Sequence, residues 1–131
     1  MSRSALKWYA ASIIMYFKFN QKNQRSFPVW ENVLLVRAKT PEQAKVKAAQ
    51  LAKLEEGPAE EAVVLFGRPA RRVFAGVRKV VTCAPAVRGP RRISQGLEDG
   101  GEATFSTFVV RGEEGLLALA SGKSVRVLYQ K

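Results

Sequence analysis

Alternation is the first regularity along the chain. Tyr9, Ala11, Ile13, Met15, Phe17 and Phe19 occupy every second position, so one face of the segment from about Lys7 to Phe19 is wholly apolar. A period of two marks a half-buried strand. The opposite face carries Trp8, Tyr16 and Lys18. A second run dense in β-branched and aromatic residues extends from about Val29 to Ala38. The polar stretch Asn20 to Ser26 between the two predicts a hairpin with a long, wet loop.

The period then changes. Thr40-Pro41-Glu42-Gln43 announces a helix. Thr40 can cap it, Pro41 suits the first helical position, where its missing N–H has no partner to lose, and Gln43 can complete a capping box. Ala44, Ala48, Leu51 and Ala52 line one face with Leu54 at its edge, while Lys45, Gln50 and Lys53 look outward. The small inner residues predict a close approach to the sheet, and Gly57-Pro58 ends the helix.

The second half is more broken. Ala62 to Phe66 is a short apolar run that fits either a strand or a last helical turn. A strand from about Val73 to Cys83 passes through Gly76 and stops at Pro85, and Arg88-Gly89-Pro90-Arg91-Arg92 reads as a loop. Asp99-Gly100-Gly101 is a turn signal, Ala103 to Arg111 a strand, Glu113 to Ala120 a short helix closed by Gly122, and Val125 to Tyr129 a final strand. This order predicts an α+β fold: a mainly antiparallel sheet of about five strands with one long and one short helix, in two layers with the helices on one face. At 131 residues and 14.5 kDa the chain fits a single domain, 1–131, with a basic, loop-rich segment at 68–92 inside it.

Composition changes the picture by what it lacks. There is no His, Cys83 is the lone Cys, and Asp99 is the lone Asp. Ser-His-Asp and Cys-His catalysis, a Cys/His zinc site and an internal disulfide are therefore excluded. The expectation is a protein that is not an enzyme, with no catalytic residue, no metal and no cofactor. Arg3 and Lys7 ahead of the apolar stretch Trp8 to Phe17 imitate an export signal. That stretch is only about ten residues, short of the roughly 18 a membrane span needs, and no small-residue cleavage site follows. The strand reading is preferred, and with it a cytoplasmic protein that does not enter a membrane.

Charge adds the positive clue. The chain has 22 Lys and Arg against 11 Asp and Glu, a net +11. Much of the excess is scattered over residues 1–53, but the segment 68–92 holds Arg68, Arg71, Arg72, Arg78, Lys79, Arg88, Arg91 and Arg92 with no acid among them. The planar guanidinium grips phosphate or carboxylate with two parallel hydrogen bonds, so an Arg-dominated, acid-free stretch points to a polyanion. A solvated face is the plainer account of such a run. Alternation places Arg78 and Lys79 on opposite faces of their strand, which keeps the block from being one flat patch.

Other signals are weaker. Gly122-Lys123-Ser124 resembles the end of a phosphate-binding loop, but the glycine required five residues earlier is Leu117, and the segment closes a helix instead of opening one. Glu98, Asp99 and Glu102 could offer oxygens to a divalent cation, though three carboxylates around a Gly-Gly turn more often serve to solvate it. Cys83 reads as a small core residue with no His to activate it. Trp8, Tyr16 and Trp30 stand out among the aromatics of the first hairpin as possible contacts, since aromatics beside basic residues on a sheet can stack nucleic-acid bases; a covered core face is the competing account.

Taken end to end, the chain resembles a bacterial family known as domain of unknown function 4288. The resemblance lies in Lys7-Trp8-Tyr9-Ala10, Trp30-Glu31-Asn32-Val33, Thr40-Pro41-Glu42-Gln43-Ala44, Phe74-Ala75-Gly76-Val77, Leu97-Glu98-Asp99-Gly100-Gly101-Glu102 and Val125-Arg126-Val127. It implies a small α+β domain, transfers no catalytic or binding residue, and does not include the Arg88 to Arg92 run. Two functions follow from the residues themselves. One is a non-enzymatic module that contacts a polyanion, most plausibly nucleic acid, through residues 68–92. The other is an immunity-type or adaptor module whose arginines hold an acidic protein partner.

Overall fold

A computed structural model describes residues 5–56, 63–83 and 99–129. The expected first strand is present at its expected bounds, β1 at Lys7–Phe19, followed by β2 at Ser26–Ala38, α1 at Pro41–Leu54, β3 at Val63–Leu65, β4 at Arg68–Cys83, β5 at Gly101–Arg111, α2 at Glu113–Ala120 and β6 at Leu128–Tyr129. The strands form one six-stranded sheet in the order β3-β4-β1-β2-β5-β6, with every neighbouring pair antiparallel. The fold is the expected α+β class, with six strands instead of about five.

The differences from expectation have local causes. β2 begins at Ser26 and includes Pro28, which a central strand would reject. The ladder with β1 ends at the Tyr16–Val29 pair, so on that side Pro28 deprives no strand of a donor. Ala62 to Phe66 resolves to a strand over Val63–Leu65, with Ala62 outside the described residues. Phe66 and Gly67 both take left-handed φ, 54° and 73°, and turn the chain straight back into β4. β4 therefore starts at Arg68, five residues before Val73. The last strand shrinks to Leu128–Tyr129, because Val125 and Val127 pack against the cluster around α2 instead. Gly57-Pro58 and the loop Arg88 to Arg92 lie outside the described residues.

The helices do not share a face. α1 lays Ala44, Ala48 and Ala52 against Tyr9, Ala11, Ile13, Met15, Val36, Ala38 and Val77. α2 packs Leu116, Leu119 and Ala120 against Ile14, Phe27, Val29, Phe108 and Val110. The adjacent residues Ile13 and Ile14 point to opposite faces, yet are 1% and 0% exposed. The apolar odd positions of β1 are thus only half of its burial. Ile14 on the even face is what α2 covers, so the expected single helical layer does not hold.

Local capping works nearly as expected. The Thr40 hydroxyl accepts the Gln43 N–H at 3.1 Å, while the Gln43 side chain reaches one residue further back and accepts the Lys39 N–H at 3.3 Å. Asp99 takes a structural position in place of solvating its turn. Its Oδ1 accepts the Arg37 N–H at 2.8 Å, its Oδ2 pairs with the Lys47 ammonium, and Lys47 also donates to the Arg37 carbonyl at 3.2 Å. The entry to β5, the end of β2 and α1 are tied together at that point. Burial pushes the Asp99 carboxyl up, but the Lys47 and Arg37 hydrogen bonds outweigh it and hold the carboxyl below its ordinary value of 3.8.

Two outcomes follow. The Asp99 clamp stabilises the fold above pH 3.8 and is lost as pH falls through the lower folded value. Both side chains are more than a third exposed, at 38% and 37%, so Asp99→Asn should cost no more than about 1 kcal/mol near neutral pH. It should also flatten the acid limb of stability measured by urea unfolding. Gly76 faces the end of α2, where an added Cβ would stand 3.2 Å from the Ala120 carbonyl oxygen and 3.3 Å from its Cβ. Gly76→Val should crowd the end of α2 and lower stability by about 1–3 kcal/mol in the same measurement.

Candidate polyanion interface

The described part of the basic segment, Arg68 to Lys79, is one continuous strand, and β4 distributes its cations by pairing register. Lys18 of β1 stands directly opposite Arg71, and Phe17 opposite Arg72, so Arg71 and Arg72 face opposite sides. Two register shifts insert Ala75 and Arg78 as extra residues on β4. The second shift breaks the expected alternation. Val77 faces α1, Arg78 reaches α2, and Lys79 sits opposite Ser12 on the α2 side as well. Arg78 and Lys79 therefore share a side.

Each predicted cation has a different local task. Arg78 donates to the Leu119 carbonyl at 2.6 Å, which also accepts the Gly122 N–H at 3.1 Å, and to the Lys123 carbonyl at 2.9 Å, tying the end of α2 and the turn after it to β4. Arg72 lies 5.8 Å above the Trp30 ring and 3.9 Å from the Glu55 carboxylate, with its Nε buried and unpartnered. Arg68 stacks 4.2 Å over Phe19 and donates to Gln21 at 2.5 Å. Arg71 and Lys79 are exposed. Their partners Lys18 and Ser12 are six residues apart along β1, about 20 Å, so they do not act on one small group. Arg88, Arg91 and Arg92 lie outside the described residues.

The structure adds cations that the segment 68–92 does not contain. β1 ends, β2 begins, β4 begins and β5 ends at the same edge of the sheet. Connected clefts there are lined by Lys18 and Lys22, by Arg25 and Arg68, by Arg25 and Arg111, and by Lys18 and Arg71. Six cations from three strands and a loop thus ring the hairpin end. The hairpin itself was readable and placed Lys18, Lys22 and Arg25 near one another. The pairing of Arg71 with Lys18 and of Arg111 with Ser26 depends on long-range register, which no local pattern reveals.

The loop that carries Lys22 and Arg25 is fixed by one side chain. Gln24 Oε1 accepts the Phe19 N–H at 2.9 Å, and its Nε2 donates to the carbonyls of Phe17 at 2.9 Å and Ser26 at 3.0 Å. Its carboxamide replaces the ladder where β1 and β2 part.

The aromatics separate. Trp30 faces the α1 side and meets Phe17 edge to face at 4.9 Å. Trp8 and Tyr16 face the other side near opposite ends of β1, with Arg37 5.5 Å over Trp8 and Phe27 edge-on to Tyr16 at 5.7 Å. The three do not form one stacking surface. Tyr16 opens onto a cavity of about 680 Å³ between the hairpin and α2. Burial, with Glu113 and Glu56, raises its hydroxyl above the ordinary value against the opposing pull of Arg71. Cys83 is half-buried opposite Trp8, and burial pushes its thiol up, away from a reactive thiolate.

Among the predicted cations, Arg78 is separable by stability. Arg78→Ala should lower unfolding free energy by about 1–3 kcal/mol through loss of its two charge-assisted hydrogen bonds to the Leu119 and Lys123 carbonyls. At a temperature where the variant remains folded, polyanion affinity should fall by less than for Arg71→Ala, as read by titration.

No curated protein and no solved structure matches the chain. The model of one family, described as a domain of unknown function (DUF4288), matches residues 8–88, from the start of β1 to just past β4. The matched segment exceeds half of the 131 residues and contains the hairpin, α1 and β4, though not β5 or α2. The chain belongs to the DUF4288 family.

Proposed function

We propose that the domain binds a polyanion, nucleic acid before any other, through backbone phosphates held at the hairpin end of its sheet. The observation that carries this is the Lys18–Arg71 pair. Like charges set directly opposite on one sheet face cost stability, and among the described residues the only ion pairs are Lys47–Asp99 and Arg72–Glu55. A phosphate between the two cations converts that repulsion into a charge-assisted contact. Lys22 and Arg25 add positive charge from the loop, and Arg68 and Arg111 from the opposite face of the same sheet end, which suits a chain of phosphates better than one isolated anion.

The module acts by binding and not by catalysis, as a chain without His and with one burial-shielded thiol suggests. No described helix is long and apolar enough to cross a membrane. An unpaired thiol suits a cytoplasmic setting. A second reading, an acidic protein held by an immunity-type or adaptor module, is favoured by the outer edge of β5. Among the described residues only Phe108 and Val109 pair there with β6, and Phe105 is 61% exposed. A partner could add a strand at that edge.

Titration of a nucleic acid at several salt concentrations tests the first reading. If five of the six cations reach phosphates, the log-log salt slope should be roughly −4 to −5 on a duplex and about −3.5 on a single strand. Replacing both Lys18 and Arg71 by Ala should flatten it by about two. Absence of binding at low salt, or a slope untouched by that double substitution, would refute it. Co-purification of a single acidic protein, retained through a salt wash, would select the second.

A further inference from the structure

We infer that the polyanion is single-stranded nucleic acid and that one of its bases enters the cavity beside Tyr16. This rests on the phosphate reading above and adds what lies between the phosphates. The cavity has about 680 Å³ of space, within the range of small-molecule sites, and shares Lys18 with the Arg71 cleft. Its lining mixes apolar, cationic and acidic groups. Tyr16, Phe27 and Leu117 give it aromatic and aliphatic walls, Lys18 and Lys22 bring positive charge, and Glu113 places a carboxylate on the wall.

That combination discriminates between parts of a nucleotide. Glu113 and the apolar walls disfavour a phosphate next to them, whereas Lys18 and Lys22 in the same lining attract one. A flat, uncharged ring joined to a phosphate satisfies both regions at once. Glu113 can accept from the amino or imino edge of a base, and the Tyr16 hydroxyl, protonated at neutral pH like any phenol, can donate to a base carbonyl. Phe27 meets the Tyr16 ring at 86°, which fixes the orientation of the ring while leaving Tyr16 only partly covered. Leu117 projects from α2 beside the cavity with 60% exposure, an apolar cost that packing within the domain does not recover. A duplex keeps its bases paired and would have to extrude one to fill the site. A single strand presents its bases already free.

The decisive comparison uses the full chain and three fluorescent probes of about twelve nucleotides, a length that covers a typical single-strand site. These are a mixed-sequence single strand, an abasic phosphodiester strand of the same length, and a duplex. Anisotropy titration at low salt should show the base-bearing single strand bound roughly tenfold or more tightly than either of the others, the gain expected from one stacked base. Tyr16→Ala should bring that strand down to the affinity of the abasic one and leave the abasic affinity unchanged. Should Tyr16→Ala fail to fold, the three probes with the unaltered protein still decide the matter. Equal affinity for abasic and base-bearing strands, or a duplex bound as tightly as the single strand, overturns the base site and leaves the phosphate contact standing. No binding of any probe at low salt overturns the reading beneath it.

Discussion

The structure depends on β1 being buried on both faces while hydrogen-bonded on both edges. Ile13 and Ile14 sit side by side in sequence, point in opposite directions, and are each sealed from water. Over its central residues, Ala11 to Met15, the strand has no free surface, so each of its neighbours is constrained by it. β2 and β4 must complete its two ladders, α1 must cover its odd face, and α2 must reach Ile14 on the even one. Apolar burial on both sides is the largest favourable contribution such a strand can make, and it explains why a chain of this size has helices on two faces.

The β1–β4 pairing passes that constraint on to the charged surface. Bulges raise local twist and re-aim side chains. Here the two extra residues, Ala75 and Arg78, both serve α2: the first packs against its cluster and the second binds the Leu119 carbonyl in its last turn and the Lys123 carbonyl just past it. One residue from an apparent polyanion motif is thereby spent on fixing a helix. The bulges also change which cations share a side, since Lys79 joins Arg78 instead of opposing it.

What could be read from the chain was local. The bounds of β1 and α2, the Thr40 cap and the alanine face of α1 rest on spacing within a few residues, where periodicity and capping act directly. The Arg-rich segment was visible as composition, but its division between faces was not, because one inserted residue reverses everything after it. Asp99 looked like part of an acidic turn until α1 and β2 brought Lys47 and the Arg37 N–H to it. Lys22, Arg25 and Arg111 belonged to no conspicuous run; four strand ends assemble them at one edge.

Gln24 carries a kinetic consequence. By occupying three backbone groups of the β1–β2 junction, its side chain gives an apparently loose hairpin tip a defined shape before any partner arrives. Cations on such a loop have already lost much of the backbone freedom that ordering on contact would otherwise consume. Encounter then needs diffusion and electrostatic attraction with little rearrangement, a regime in which association is fast and governed by ionic strength. The lifetime of a complex is set afterwards, by how many contacts must break together.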